Sequence, residues 1–535
     1  MASSIFDIHA VRAHFPALQH EQVYFDNAGG SQILKSVVDQ ISNYLLSNNV
    51  QLGASYTIAR ESTRLFDEGC KAVAKYMNAS PEEVVLGPST TQLFRNLSQS
   101  LYDHVTPGTE IIVSKLDHEA NIAAWIQLAK DRQAKVIWWD SPSKQNPQLD
   151  PGILKGLLND KTRLVTCTHT SNILGTINDI RSISATVHTF PDALLCVDAV
   201  AYAPHRAVDV KDLGVDFYSF SWYKVYGPHI ASLYASQEAQ KKLRTLGHFF
   251  KSTDCLENLL GLAAANYELT ASIPSVCSYL HSVPWPQIAE HEEKLQGILI
   301  NYLNSKPDTY TIYGEPVADR EKRVPVISFT VKGKKSKDVV DAIESRSNFA
   351  CRWGSFYSNR LCEEIMGLDA VDGVVRVSLC HYNSGKWCSD PMADRLKANR
   401  LQWRRSAGMS RCSTRWYHLR SSNSSSGNVS GLYPASPRSP GGDPHNLCPN
   451  SRASPLRADC LIKELQCMPC KLTIQRIIIC CSNAETLPET ITPSLVLHRS
   501  PRQARSQKPT SRHPQRLFIL LASRCSIATL FIVIS

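Results

Sequence analysis

The sequence predicts an α/β fold, a mainly parallel sheet with helices on both faces, followed by a smaller region of mixed strands and helices. Three observations lead there. Short apolar runs alternate with helix-period segments between residues 84 and 235, the pattern of successive strand–helix–strand units. The polar clusters of that region directly follow strands, where open parallel sheets bind their ligands. Past Ala235 the alternation gives way to longer helices and then to a mixed pattern that runs to about residue 393. At 535 residues the chain has room for a large core and more than one domain.

Taken in order, residues 5–18 read as a short helix stopped by Pro16, and Val23-Tyr-Phe-Asp26-Asn27-Ala-Gly-Gly30 as an extended segment entering a glycine turn. Helical periods cover Ile33 to Ser47 and Ile58 to Met77. Val84-Val-Leu-Gly is a strand that turns through Pro88 into Ser89-Thr90-Thr91 and a helix. Hydroxyls at a helix start suit an anion, although the same residues serve as a plain N-cap. Strands follow at Glu110–Ser114, Ala134–Trp139, Arg163–Thr168 and Leu195–Asp198, with helices at Pro151–Leu158 and after Ile180 between them. Beyond the sheet, helices are expected over Gln237–Leu246, Leu256–Ala271 and Lys337–Ser345, and a strand over Val324–Val331.

One residue stands apart. Lys224 lies between the aromatic runs of 215–223 and 225–234, two buried strand segments joined by a turn. A lysine there either reaches out to water or is desolvated. In the second case its ammonium loses a proton easily and attacks a carbonyl, the chemistry of a Schiff base.

The surrounding residues resemble a family. Ser221-Trp-Tyr-Lys224-Val-Tyr-Gly-Pro resembles the Ser-x-His-Lys-x-x-Gly-Pro signature of the class V aminotransferase superfamily, pyridoxal-phosphate (PLP) enzymes that include cysteine desulfurases and isopenicillin N epimerase-like proteins. Leu195-Cys-Val-Asp198 precedes it at the family's spacing. The resemblance implies a fold-type I PLP-dependent transferase with a small α+β C-terminal domain. It implies that Lys224 is the catalytic lysine and that Ser221 also binds the cofactor. Ser89-Thr90-Thr91 resembles the family's phosphate turn, so Thr90 and Thr91 are implied phosphate ligands. Asp117-His118-Glu119-Ala-Asn121 resembles the segment whose first histidine, here His118, stacks on the pyridine ring and relays protons. His169-Thr-Ser-Asn172-Ile-Leu-Gly175 is similar to the turn whose asparagine, Asn172, approaches the ring hydroxyl. Asp198 would keep the ring nitrogen protonated, which makes the ring an electron sink. Arg376-Val-Ser378-Leu-Cys-His-Tyr382-Asn383 matches the element whose arginine grips the substrate carboxylate, and Asn27 lies where the family has its substrate entrance. The implied partners are an amino-acid substrate and a second copy of the chain, a homodimer, with no metal. The expected divisions are an N-terminal segment over 1–24 joining the small domain, a large domain over 25–271, a small domain over 272–400 and a tail over 401–535.

Two departures sharpen the reading. Cysteine desulfurases carry an acceptor cysteine in a Val-Arg-x-Gly-x-x-Cys context, whereas Cys351-Arg352-Trp-Gly354-Ser-Phe-Tyr357 places Tyr357 there, with Cys351 and Cys362 to either side. Ala201 and Tyr223 stand where the family has glutamine and histidine. Together with 203–209 these features look more like a fungal branch found in natural-product pathways. An amino-acid lyase or carbon–carbon bond-forming enzyme is expected, with a cysteine desulfurase or a non-catalytic relative as alternatives.

The second departure is the tail. It holds 18 Lys and Arg against 5 Asp and Glu, while the preceding 400 residues hold 40 against 43, so the net charge of +10 marks no nucleic-acid surface on the folded part. The tail is expected to be disordered or aberrant, with a real domain left open. Cys467-Met-Pro-Cys470 and Cys480-Cys481 are weak metal or redox signals, and the apolar run from Leu517 is interrupted by Arg524. With no secretory pattern at the start and seventeen scattered cysteines, a cytoplasmic, reducing location without membrane partners is expected.

Overall fold

A computed structural model describes residues 6–261 and 265–385, together with the backbone of four strands near the end of the chain. The chain divides into two units, Met1–Trp416 and Tyr417–Ser535. In the first, the strands in chain order are β1 (Val23–Tyr24), β2 (Val84–Gly87), β3 (Glu110–Ser114), β4 (Lys135–Trp139), β5 (Thr162–Thr168), β6 (Leu194–Asp198), β7 (Phe217–Ser221) and β8 (Ala231–Ala235). Seven of them form one sheet in the order β2-β8-β7-β6-β5-β3-β4. Only β8 runs against its neighbours, so the α/β, mainly parallel expectation holds.

The sheet is covered on both faces, and the strand period decides which residue goes where. Ile112, Val165, Leu195 and Val197 enter one core, with Val37, Val73, Ile183 and Ile273 from the helices Lys35–Ser47, Thr57–Tyr76, Ile180–Val187 and Tyr267–Ser282. Their sequence neighbours Ile111, Val113, Leu164 and Cys196 enter the other, against Phe94 and Leu97 of the helix Thr90–Ser100 and Trp125 and Leu128 of the helix Ala123–Asp131. Strands buried on both faces read as continuous apolar runs. That explains why β6 and β7, with all five residues buried in each, lacked alternation in the sequence.

A second sheet follows, β9 (Tyr310–Tyr313), β10 (Val326–Val331), β12 (Arg352–Gly354) and β13 (Val374–Ser378), antiparallel in the order β12-β13-β10-β9. The short β11 (Phe349–Ala350) pairs in parallel with β1, which brings the start of the chain beside this sheet. Leu295, Leu299 and Ile300 of the helix Trp285–Asn304 and Val339, Val340 and Ile343 of the helix Ser336–Glu344 cover it.

Three helix boundaries differ from expectation. Asp7 caps the first helix through His9 and Ala10, so it runs only Ile8–Ala13, and Pro16 opens a separate 3-10 turn. The segment from Gln237 stays helical only to Gln240, because the amides of Arg244 and Leu246 bond instead to the carbonyls of Ser100 and Leu259. The helix expected over Leu256–Ala271 ends at Leu260, where Gly261 turns extended, and a new one starts at Tyr267. The expected division at 271/272 therefore falls inside the helix Tyr267–Ser282.

Gly175 ties the two sheets together. Its φ is +71°, and a Cβ there would stand 2.4 Å from the carbonyl oxygen of Val326 and 2.9 Å from that of Val324. Gly175→Ala is expected to destabilise the protein by roughly 1–3 kcal/mol, since it adds both a left-handed penalty and an overlap with backbone. A Tm equal to that of the wild type would contradict this.

In the second unit, Leu465–Cys467 pairs with Leu472–Ile474, and Arg516–Ser523 with Ser526–Val533, both antiparallel. The side chains of Cys467, Cys470, Cys480 and Cys481, and residues 386–400 of the expected small domain, lie outside the described residues. Among the described residues no helix is long and apolar enough to cross a membrane.

Candidate active site

A small cleft of about 80 Å³ opens at the carboxyl ends of the parallel strands, where open sheets of this kind bind ligands. Thr90 and Thr91 reach it from the turn after β2, His118 from that after β3, and Asn172 from that after β5. Asp198 ends β6, Ser221 ends β7, and Lys224 follows β7. All seven residues assigned to the cofactor from sequence thus line one cavity.

Lys224 closes a single 3-10 turn, Trp222–Lys224, between two buried strands. Burial, with Arg376 adding to it, pulls its ammonium down to about 8, while Asp198 and Asp26 act in the opposite sense. At pH 7 about one such lysine in ten is neutral, against about one in three thousand for an ordinary lysine at 10.5. Of the two sequence-based readings, a desolvated lysine rather than one reaching out to water agrees with this burial.

Asp198 is buried, and one carboxylate oxygen accepts the amide of Val200 at 2.9 Å. Burial raises its carboxyl to about 6, and Lys224 pulls it back. Beside it lies a residue that sequence reasoning quoted but did not choose. Asp117 is buried, accepts the side-chain amide of Asn121 at 2.6 Å and the backbone N–H of Thr168 at 2.9 Å, and is pushed up to about 8 by burial. Trp125 in turn donates to Asn121. This chain fixes the turn that carries His118, and the family-like segment Asp117–Asn121 was the signal for it.

His118 caps the turn Glu119–Asn121 by accepting the amide of Ala120 on Nδ1 at 3.0 Å. A neutral ring then carries its proton on Nε2. Burial, then the charges of Lys224 and Arg376, holds the imidazole down at about 4, so it is neutral at physiological pH. The hydroxyls of Thr90 and Ser221 share a hydrogen bond of 2.9 Å, and Ser89 caps the helix by accepting from Gln92. Thr91 is exposed in the cleft wall at the start of that eleven-residue helix, with its positive dipole end. Ser89 thus carries the capping reading, and Thr91 stays open to an anion.

Two expected substrate residues are not in the lining. The amide of Asn27 donates to the carbonyls of Tyr24 and Ser378 and to Asn383, and its oxygen accepts from the hydroxyl of Tyr382. Its side chain is thus engaged within the protein, and Asn27 lines a neighbouring opening with Asp26 and Arg352. Arg376 is buried behind the wall, paired with Asp26 at 2.7 Å and donating to the carbonyl of Asn172 at 3.2 Å. Its Nε is buried with no hydrogen-bond partner among the described residues. Asp26, which also lies 3.5 Å from Arg352, was read only as part of a turn, because its partners come from residues more than 300 positions away.

These residues fit PLP. A buried lysine of depressed pKa faces a buried carboxylate across a cleft whose wall carries hydroxyls at a helix start and a neutral imidazole. Fold and cleft together define a fold-type I PLP-dependent enzyme. Residues 23–386 match the family model described as aminotransferase class-V, and the chain belongs to that family. It is 54% identical to the aminotransferase-like protein FGM3 of Gibberella zeae, over 72% of this chain and 96% of that protein. With the cysteine desulfurase-like protein ustD of Aspergillus flavus it shares 40% identity, over 71% of this chain and 88% of the relative. The solved apo cysteine desulfurase of Thermococcus onnurineus NA1 superposes with a TM-score of 0.66 at 23% identity, over 76% of this chain and all of that one, a likeness of fold.

Proposed function

We propose that this enzyme is an amino-acid lyase or carbon–carbon bond-forming catalyst of fungal specialised metabolism, working in the cytoplasm as a homodimer, rather than a sulfur-releasing desulfurase. The observation that carries the choice lies around Tyr357. Where a desulfurase needs a thiol to receive sulfur, this chain presents an exposed phenol. The flanking thiols of Cys351 and Cys362 are buried and held at about 12 by that burial, so neither is a thiolate near neutral pH. Among the described residues no cysteine lines the cleft.

When bound, PLP supplies an electron sink that labilises bonds at the α- and β-carbons of an amino acid. The chain's residues do the rest. Thr90, Thr91 and Ser221 would hold the phosphate, Asp198 would keep a proton on the ring nitrogen, and Asn172 would orient the ring hydroxyl. Lys224 would offer an Nζ that loses its proton far more readily than an ordinary lysine, and His118 would cover the ring with its own proton on Nε2. Arg376 takes the substrate carboxylate by exchanging Asp26 for it, its unpartnered Nε supporting the reading.

The test is to incubate the protein and PLP with cysteine and, separately, with aspartate plus aldehydes, and to follow sulfide, alanine and new amino acids by mass spectrometry. New amino acids or β-carboxylate loss without rapid sulfide release are expected. Rapid alanine and sulfide from cysteine, lost in Cys351→Ala or Cys362→Ala but kept in Tyr357→Phe, would restore the desulfurase.

A further inference from the structure

We propose that Phe356 and Tyr357 form a positioning element, in which Tyr357 backs His118, Phe356 backs Arg376, and Asn172 holds the turn between them against the cleft. The roles of His118 and Arg376 rest on the PLP reading above; the geometry does not. The ring of Tyr357 lies 5.3 Å from that of His118, tilted by 39°. The guanidinium carbon of Arg376 lies 3.7 Å from the centre of the Phe356 ring, close enough for a cation–π contact.

The backbone of this turn is constrained. Phe356 and Tyr357 have φ of +49° and +62°, a left-handed conformation that bulky L residues adopt only when something holds them there. The tethers are visible. Glu119 donates its amide to the carbonyl of Tyr357 at 2.7 Å. Asn172 donates to the carbonyl of Phe356 at 3.1 Å and accepts from the hydroxyl of Ser358 at 3.0 Å. Arg360 pairs with Glu119, the residue after His118. Apolar burial does not explain the arrangement at Tyr357, which is 71% exposed. Its inner face is spent on a histidine of the cleft, and its strain is supported by Asn172 of the cleft wall and by Glu119, the residue after His118. A stability role alone would favour glycine or asparagine at that φ.

The test uses the full chain, first free of cofactor. The charged groups around the His118 ring are Lys224 and Arg376, with the Glu119–Arg360 pair beside it. In the wild type, histidine NMR should place His118 near 4. Tyr357→Gly relieves the left-handed strain, so it should fold at least as well, yet it uncovers the ring. Its His118 midpoint should rise by about one pH unit or more toward the ordinary value, because rehydration favours the imidazolium. Tyr357→Phe keeps the stack and should titrate like the wild type. With PLP bound, Phe356→Leu should raise KM for the amino acid by roughly 2- to 30-fold, the range of a lost cation–π contact, with kcat nearly unchanged. An unmoved His118 midpoint in Tyr357→Gly would overturn the proposal, as would a Phe356→Leu effect confined to kcat. Since the titration needs no cofactor, failure of the PLP reading is seen separately, as a protein that takes up no PLP.

Discussion

Lys224→Ala is expected to leave a folded protein that cannot hold PLP covalently, loses the visible absorbance of the lysine-bound cofactor, and turns over amino acids about 10²- to 10⁴-fold more slowly or not at all. The lysine is the nucleophile of the proposed mechanism, and no other lysine lines the cavity among the described residues. The same substitution has an opposite effect on the fold. In the unfolded chain the ammonium titrates near 10.5, in the folded one at about 8. Below pH 8 both states carry the charge and the folded state bears its full desolvation cost, up to about 3 kcal/mol. Between 8 and 10.5 the unfolded state binds the extra proton, so wild-type stability climbs with pH, and above 10.5 the cost is gone. Cofactor-free Lys224→Met should accordingly melt higher than the wild type at pH 7, and the gap should close as pH rises through that window. Part of the gain is returned, because Asp198 loses a cationic neighbour and its carboxyl is pushed further up. A protein that stays colourless with PLP whether or not Lys224 is present would sink the assignment.

The candidate cofactor site was legible in the sequence for a physical reason. Each of its residues follows a strand within a few positions, so local order places Thr90, His118, Asn172, Asp198 and Lys224 at one sheet edge once the strands are parallel. Residues whose task depends on distant partners were not legible. Asn27 looks like a free polar residue in a glycine turn, yet three of its four bonds go to Ser378, Tyr382 and Asn383. The pairing of Asp26 with Arg376 is hidden in the same way. Helix ends failed where tertiary bonds intervene, as at Gln240, whose following segment bonds to Ser100 and Leu259 rather than to its own preceding turn. The left-handed turn at Phe356–Tyr357 carries no glycine or asparagine to announce it. Its sequence shows only that a tyrosine stands where a thiol was sought.

Asp198→Asn carries the second large effect, and it separates binding from chemistry. Asparagine has nearly the shape of aspartate, and its side-chain oxygen can still accept the amide of Val200 that now bonds the carboxylate at 2.9 Å. The cleft should keep its form, and Lys224 should still hold PLP. What disappears is the negative charge that, in the proposed mechanism, would keep the ring nitrogen protonated. An amide gives no such preference, and without the proton the ring is a far weaker electron sink. Turnover is expected to drop by about 10²- to 10⁴-fold with the cofactor bound and the visible absorbance present. A second readout follows from the charge itself. Asp198 is one of the groups that raise the ammonium of Lys224 against burial, so its neutralisation should move that lysine below 8. The pH at which cofactor-free protein first reacts with added PLP should then shift to lower values. Equal turnover in Asp198→Asn and wild type, at equal cofactor occupancy, would mean that the proton on the ring nitrogen is held by something other than this carboxylate. The buried neighbour Asp117, already raised to about 8 and hydrogen-bonded to the Thr168 amide next along the sheet edge, is then the group to replace.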